Sequence, residues 1–274
     1  MPVRVVESDS GRFRAVRSGT TDTNLIVPRR QLLGPASIPQ FAEAMNPAHM
    51  SRLTDPLRND QIIWKLDHTA RVGLIVGDTH REVLGSSRDQ IVASQRAGIA
   101  HDCGQVTEIE GNNVVLSQSK VDLTNKWGLY TPEDWRTVHE HPRIAADYLA
   151  RNGEHVSARD VFYHHTMQGT RSYPFALDTR NFDRSELTSI ALFAAADVTD
   201  AGLVKRPYTK WELDSSGQPQ LTAQSTDQPW TSEKTRGILE KDFGKLLEGE
   251  VLDFIVARGQ HYAGKTIEDL AQAA

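Results

Sequence analysis

Seven side chains in this sequence could ligate metal: His68, His101, Asp102, His141, His164, His165 and Asp197. Divalent first-row metals accept imidazole nitrogen and carboxylate oxygen, and each side chain supplies only one or two donor atoms, so several must converge. Asp102 directly follows His101; at a frayed helix end such neighbours can reach different sides of one ion, and the carboxylate can also bridge two. The adjacent pair in "HHTMQGTRSYP", His164 and His165, fits metal ligands, a buried hydrogen-bonded couple or a surface accident. Asp197 is more telling. It sits in the alanine-rich run "ALFAAADVTD", where a lone carboxylate is costly to bury without a charged or metal partner. The others each have a plainer reading. A His-Asp dipeptide arises by chance, His68 lies beside apolar positions like a core histidine, and His141 could end a loop before Pro142.

These candidates lie about one helix or one helix-loop-helix apart, so a cluster forms only if several helices bring their ends or faces together. The sequence supplies such helices. "QIIWKLDHTARVGLIVGDTHREVLG" carries Ile62, Leu66, Val72, Ile75 and Val76 mostly at helical intervals, and a second helix is predicted from about Arg88 to His101. "TPEDW" predicts a helix start: Thr131 as N-cap, Pro132 at the first position, and Asp134 completing a capping box. "HPRIAADYLARNG" repeats the proline device with Pro142 and ends near Gly153; "SARDVFYHH" and "DRSELTSIALFAAADVTDAG" are two further helical runs. The polar stretch from Gln105 to Tyr130 reads as a long ordered loop or short hairpin. "DSSGQPQLTAQSTDQPW" reads as a low-complexity connector to two terminal helices, and "VRVV" and "NLIV" as β-favouring pieces of an N-terminal arm.

The bulk numbers fit this picture. A chain of 274 residues can bury a large core, and 38% hydrophobic with 24% charged residues describes an ordinary globular protein. A net charge of -5 argues against coating extended nucleic acid. The single cysteine, Cys103, rules out an intrachain disulfide framework. With no apolar run near the roughly 18 residues of a membrane span and an acidic start, no membrane association and a cytoplasmic location are expected.

His68, "HD" in "AHDCGQ", "HP" in "EHPRIAADYL", "HH" in "FYHHTMQGTRSYP" and "ADVTDAGLVKRPY" together resemble, in order and separation, the HD-domain superfamily of metal-dependent phosphohydrolases. The resemblance is greatest to its HD-GYP branch, whose members hydrolyse cyclic diguanylate, and it spans about Leu66 to Tyr208. It implies an all-α HD-domain helical bundle. Residues 1–37 would form a short irregular or β-containing N-terminal arm, 38–210 the catalytic domain, and 211–274 a connector with a helical C-terminal extension. It also implies two divalent ions, iron or manganese, on His68, His101, Asp102, His141, His164 and Asp197. His165 would be available for an ion or for substrate, and Asp102 would bridge.

The departures from the branch fall among groups that would handle substrate. Gln105 stands where the family usually has the lysine of His-Asp-x-Gly-Lys, so a cation is replaced by a neutral amide. Thr166 replaces a glutamate, Gly169-Thr170 an Asp-Gly, and Ser172-Tyr173-Pro174 a Gly-Tyr-Pro. Trp64 stands where members with a third metal carry glutamate, so two ions are expected rather than three, and a substrate other than cyclic diguanylate.

Two ions about 3.5–4 Å apart can acidify a shared water and clamp the oxygens of a phosphodiester. The expected activity is therefore phosphoester hydrolysis of a small, nucleotide-like phosphorylated molecule. By the resemblance, Asp102, Gln105, Arg171, Lys205 and Arg206 would be the catalytic and phosphate-facing groups; arginine's planar fork suits phosphate oxygens. Arg171, Lys205 and Arg206 are equally readable as surface or ion-paired residues. Tyr173 could stack on a base or anchor its loop, and Asp200 could orient a ligand or accept from Arg206. Cys103 reads as a buried packing thiol, and His80, His139, His155 and His261 as surface or structural. Two alternatives share the ligand set: a di-iron oxygenase of the same superfamily acting on a small polar substrate, and a catalytically degenerate metal-containing regulatory module. A homodimer is compatible with the sequence, although no seam marks an interface.

Overall fold

The computed structural model describes residues 3–7, 13–17, 56–110, 113–117, 119–120, 123, 131–167, 173, 179–205, 209–213, 215–216, 219–223 and 228–272. Helices dominate. In chain order they are α1 (Pro56–Glu82), α2 (Arg88–Ala100), α3 (Pro132–His139), α4 (His141–Arg151), α5 (His155–Tyr163), α6 (Arg184–Leu203), α7 (Ser232–Phe243), α8 (Gly249–Tyr262) and α9 (Ile267–Gln272). The strands form three antiparallel two-stranded ribbons: β1 (Val3–Glu7) with β2 (Phe13–Arg17), β3 (Thr107–Glu110) with β4 (Asn113–Leu116), and β5 (Thr209–Leu213) with β6 (Pro219–Ala223). No described helix is long and apolar enough to cross a membrane.

Local chemistry starts the helices where the sequence predicts. Thr131 and Asp134 exchange side-chain and backbone hydrogen bonds at the head of α3, with Pro132 in the first turn. Ser87 with Gln90 does the same for α2, and Asp183 with Glu186 for α6. Each box satisfies N–H groups that a helix leaves unpaired at its start. The polar stretch after Gln105 resolves in part as the hairpin β3–β4.

The core gathers around α1, α6 and α8, which pack on one another. The middle of α1 is buried from Asp67 to His80, and α6 is buried from Ile190 to Asp197, as befits helices enclosed on all sides. Leu239, Phe243, Val251, Leu252 and Ile255 from α7 and α8 belong to the same apolar cluster as Val72 and Ile75. The C-terminal helices therefore build the central core together with the site-bearing helices. The stretch read as a connector is more ordered than its composition suggests. It contains β6, while β5 runs across the expected division at residue 210. A third C-terminal helix, α9, follows the two expected. "NLIV" lies outside the described residues; "VRVV" lies in β1, which pairs with β2.

Two glycines set the spacing that the site needs. At the crossing of α1 and α2, a Cβ on Gly98 would overlap the backbone of Gly73, so the helices meet backbone to backbone. This contact fixes the end of α2, bearing His101, against the α1 face bearing His68. A Cβ on Gly104 would overlap the carbonyl and Cα of His141. The turn after Asp102 thus presses directly on the start of α4.

Candidate metal centre

All seven predicted ligands meet in one place. Donor atoms of Asp102, His141, His164 and His165 lie within 4.8 Å of one another, as do those of His68, His101 and Asp102, and those of His101, His164 and Asp197. Asp102 joins the first two groups. Its Oδ2 lies 3.6 Å from Nε2 of His68 and 3.7 Å from Nε2 of His101; its Oδ1 lies 3.3 Å from Nε2 of His141. Asp197 approaches from α6, its Oδ1 3.2 Å from Nε2 of His68 and 3.5 Å from Nε2 of His101.

The imidazole orientations have a common cause. Nδ1 of His101 donates to the carbonyl of Gly98 at 2.7 Å, that of His141 to Val138 at 2.7 Å, and that of His164 to Val161 at 2.5 Å. A carbonyl can only accept, so the Nδ1 proton is fixed in all three rings. The carbonyls lie three residues back, near the ends of α2, α3 and α5, where backbone acceptors lack intrahelical partners. Each histidine thus closes a helix end with one nitrogen and turns the other, Nε2, into the site. His68 is oriented differently. Its Nδ1 donates to Oδ2 of Asp200 at 2.8 Å, and Asp200 in turn accepts from Nε and Nη2 of Arg71 at 2.7 and 3.1 Å. A carboxylate behind an imidazole fixes its tautomer and raises its basicity as a ligand.

The inward nitrogens meet without protons between them. Nε2 of His141 and Nε2 of His164 are 3.5 Å apart, both rings fully buried, and both Nδ1 protons already committed. Burial pushes these two imidazoles down to about 3 and about 4, so at neutral pH two lone pairs face each other. Nε2 of His101 is buried with no hydrogen-bond partner. Burial disfavours its charged form, but Asp102 and Asp197 outweigh that and raise its pKa. Burial also disfavours the carboxylate forms of Asp102 and Asp197. For Asp102, Lys65 and then the histidines outweigh it; for Asp197, the close approach of His101 and His68 does so, and both stay well below the usual carboxylate range. Facing lone pairs and clustered carboxylates are the arrangement that a divalent cation satisfies; nitrogen and oxygen donors about 2.0–2.2 Å from one ion stand this close to each other. The donor set could therefore hold metal ions.

Other expected residues fall into place around it. Gln105 donates from Nε2 to Oδ1 of Asp102 at 2.5 Å, so it steadies that carboxylate. Thr166 is buried and donates its hydroxyl to the carbonyl of Tyr163 at 2.7 Å, closing the end of α5. Trp64 lies flat on His68, ring centroids 5.1 Å apart and planes 6° from parallel. Tyr173 is sandwiched between His139 and His165 at 4.2 and 4.4 Å, so both its faces are taken and neither is offered to a base. Cys103 is buried in the core. Lys205 is exposed beyond the end of α6. Arg171 and Arg206, with Gly169, Thr170, Ser172 and Pro174, lie outside the described residues.

Two charged residues were not singled out in the sequence. Lys65 places its Nζ 2.7 Å from Oδ2 of Asp102, and Arg71, in place of Arg206, is the cation that answers Asp200. Both stand three residues from His68, a spacing that puts them on its helical face and was the available signal. No family model matches the chain, and no curated protein matches it.

Proposed function

We propose that this protein is a binuclear metal-dependent phosphohydrolase with an HD-type helical bundle, cleaving a phosphoester of a small, nucleotide-like molecule. The observation that carries this reading is the buried 3.5 Å approach of His141 Nε2 to His164 Nε2, with both opposite nitrogens already donating to backbone carbonyls. A metal cation between the two nitrogens would make that pair favourable. His68, His101, Asp197 and Oδ2 of Asp102 would hold one ion, and Oδ1 of Asp102 with His141, His164 and His165 the other; iron or manganese suits this mixed imidazole and carboxylate set. Such ions, when bound, acidify water and polarise a phosphoester.

The chain's own groups supply orientation. Arg71 and Asp200 hold the His68 ring, Gln105 holds the Asp102 carboxylate, and the three helix ends hold the imidazoles of His101, His141 and His164. The complete ligand set favours chemistry over a degenerate scaffold. The test is anaerobic purification with metal analysis, followed by assays on phosphodiesters with and without dioxygen. Two metals per chain and turnover without dioxygen are expected. Oxygen-dependent consumption of a non-ester substrate would instead establish the oxygenase alternative, and stoichiometric binuclear metal in His101→Ala and Asp102→Ala proteins would overturn the site.

A further inference from the structure

We propose, building on the metal-centre reading above, that Lys65 is the substrate-binding cation of this site, held on Asp102 until that oxygen is taken by a metal ion. Lys65 reaches Oδ2 of Asp102 at 2.7 Å from the solvent side; its side chain keeps 19% exposure, against 5% for the aspartate. Oδ2 is also the oxygen facing His68 and His101. An ammonium and a divalent ion need the same lone pairs there, and like charges this close repel strongly where water is excluded.

The displaced ammonium has somewhere to go. A lysine's four-carbon stem is flexible, and the Trp64 ring, 5.5 Å from Nζ, already offers a π face at the edge of the site. At that edge the ammonium meets an incoming phosphate. The neighbouring candidates are committed elsewhere. Gln105, which stands where the resemblance expects lysine, is a neutral donor fixed on Oδ1 of Asp102, and Arg71 is bound to Asp200 by two contacts. Lys65, arriving from α1, supplies the charge that position 105 lacks.

The experiment compares wild-type, Lys65→Met and Lys65→Arg proteins by calorimetry. Metal-free protein is titrated with Mn2+ alone, and Mn2+-loaded protein with inorganic phosphate, with circular dichroism verifying the fold. Removing the competing ammonium should tighten Mn2+ binding in Lys65→Met. Losing a charge-assisted contact should weaken its phosphate binding about tenfold or more, with Lys65→Arg recovering most of the loss. Unchanged phosphate affinity in Lys65→Met, or weaker Mn2+ binding, would overturn the assignment; Lys65→Gln gives the same contrast should methionine disturb folding. A wild-type protein that binds no Mn2+ sinks the metal-centre reading along with this one. Normal wild-type binding of both probes with an indifferent Lys65→Met sinks only the role of Lys65.

Discussion

Arg71 grips Asp200 with two nitrogens, at 2.7 and 3.1 Å, across 129 residues of chain, and both side chains are buried. Its remaining arm donates to the carbonyl of Lys265 at 2.9 Å. Replacing Arg71 by methionine strands a buried carboxylate behind His68. Such a loss costs about 3–5 kcal/mol of stability. Because Asp200 also orients the His68 ring, metal affinity should fall about 10–100-fold as well. Urea unfolding and Mn2+ titration measure the two separately, and a variant that loses neither would show the pair to be idle.

The glycine contacts predict steric rather than chemical failure. Gly98→Val and Gly104→Ala insert atoms where backbone already sits, and overpacking of this kind costs about 1–3 kcal/mol. Gly104→Ala should additionally weaken metal binding, since it moves His141 relative to Asp102. Gly237→Ala, in the interior of α7 with open space around its Cβ position, is the control: it should raise stability by about 0.5–1 kcal/mol through helix propensity and leave metal binding unchanged.

His80 predicts a pH effect away from the site. Burial lowers its pKa from 6.5 to about 4, while Nδ1 pairs with Ser86 at 2.9 Å. The unfolded chain takes up this proton near 6.5 and the native protein only near 4, so the unfolded state binds more protons between those values. The stability contributed by neutral His80 is therefore full above about 6.5, and it is lost as pH falls toward 4 at up to roughly 1.4 kcal/mol per pH unit. Unfolding of metal-free His80→Phe should show a shallower pH slope in that window. Parallel slopes for the two proteins would mean that His80 does not titrate this way.

Tyr173 separates an anchor from a base-stacking platform. Each aromatic pair contributes about 0.5–1.5 kcal/mol, so Tyr173→Ala should lose roughly 1–3 kcal/mol, and Tyr173→Phe should keep it. Thermal unfolding reads this. A rise in KM confined to base-containing substrates, with stability intact, would instead assign Tyr173 to substrate.

Much of the centre was legible because its parts are chemically costly in their settings. Asp197 stood out as a carboxylate in an alanine-rich helix, and it is buried against His68 and His101. The box at Thr131 and Asp134 was readable because capping depends on neighbours a few residues apart. Lys65 and Arg71 escaped notice because cations on a helix are common, and only the fold brings Asp102 and Asp200 to them. Tyr173 left its role open, since a ring that can stack in sequence shows its partners only in space. The strands β5 and β6 were hidden by the turn-rich residues between them, and the C-terminal helices looked separable because their apolar faces carry no mark of what they cover.

The helix ends that hold the histidines also carry charge. Aligned peptide dipoles leave the C-terminus of a helix with about half a negative charge. The ends of α2 and α5, at Ala100 and Tyr163, lie beside the same buried space, where the carbonyl-tethered rings of His101 and His164 stand 5.2 Å apart. The backbone itself thus makes that space an electrical well for positive ions, with the aspartates deepening a field that the fold already provides.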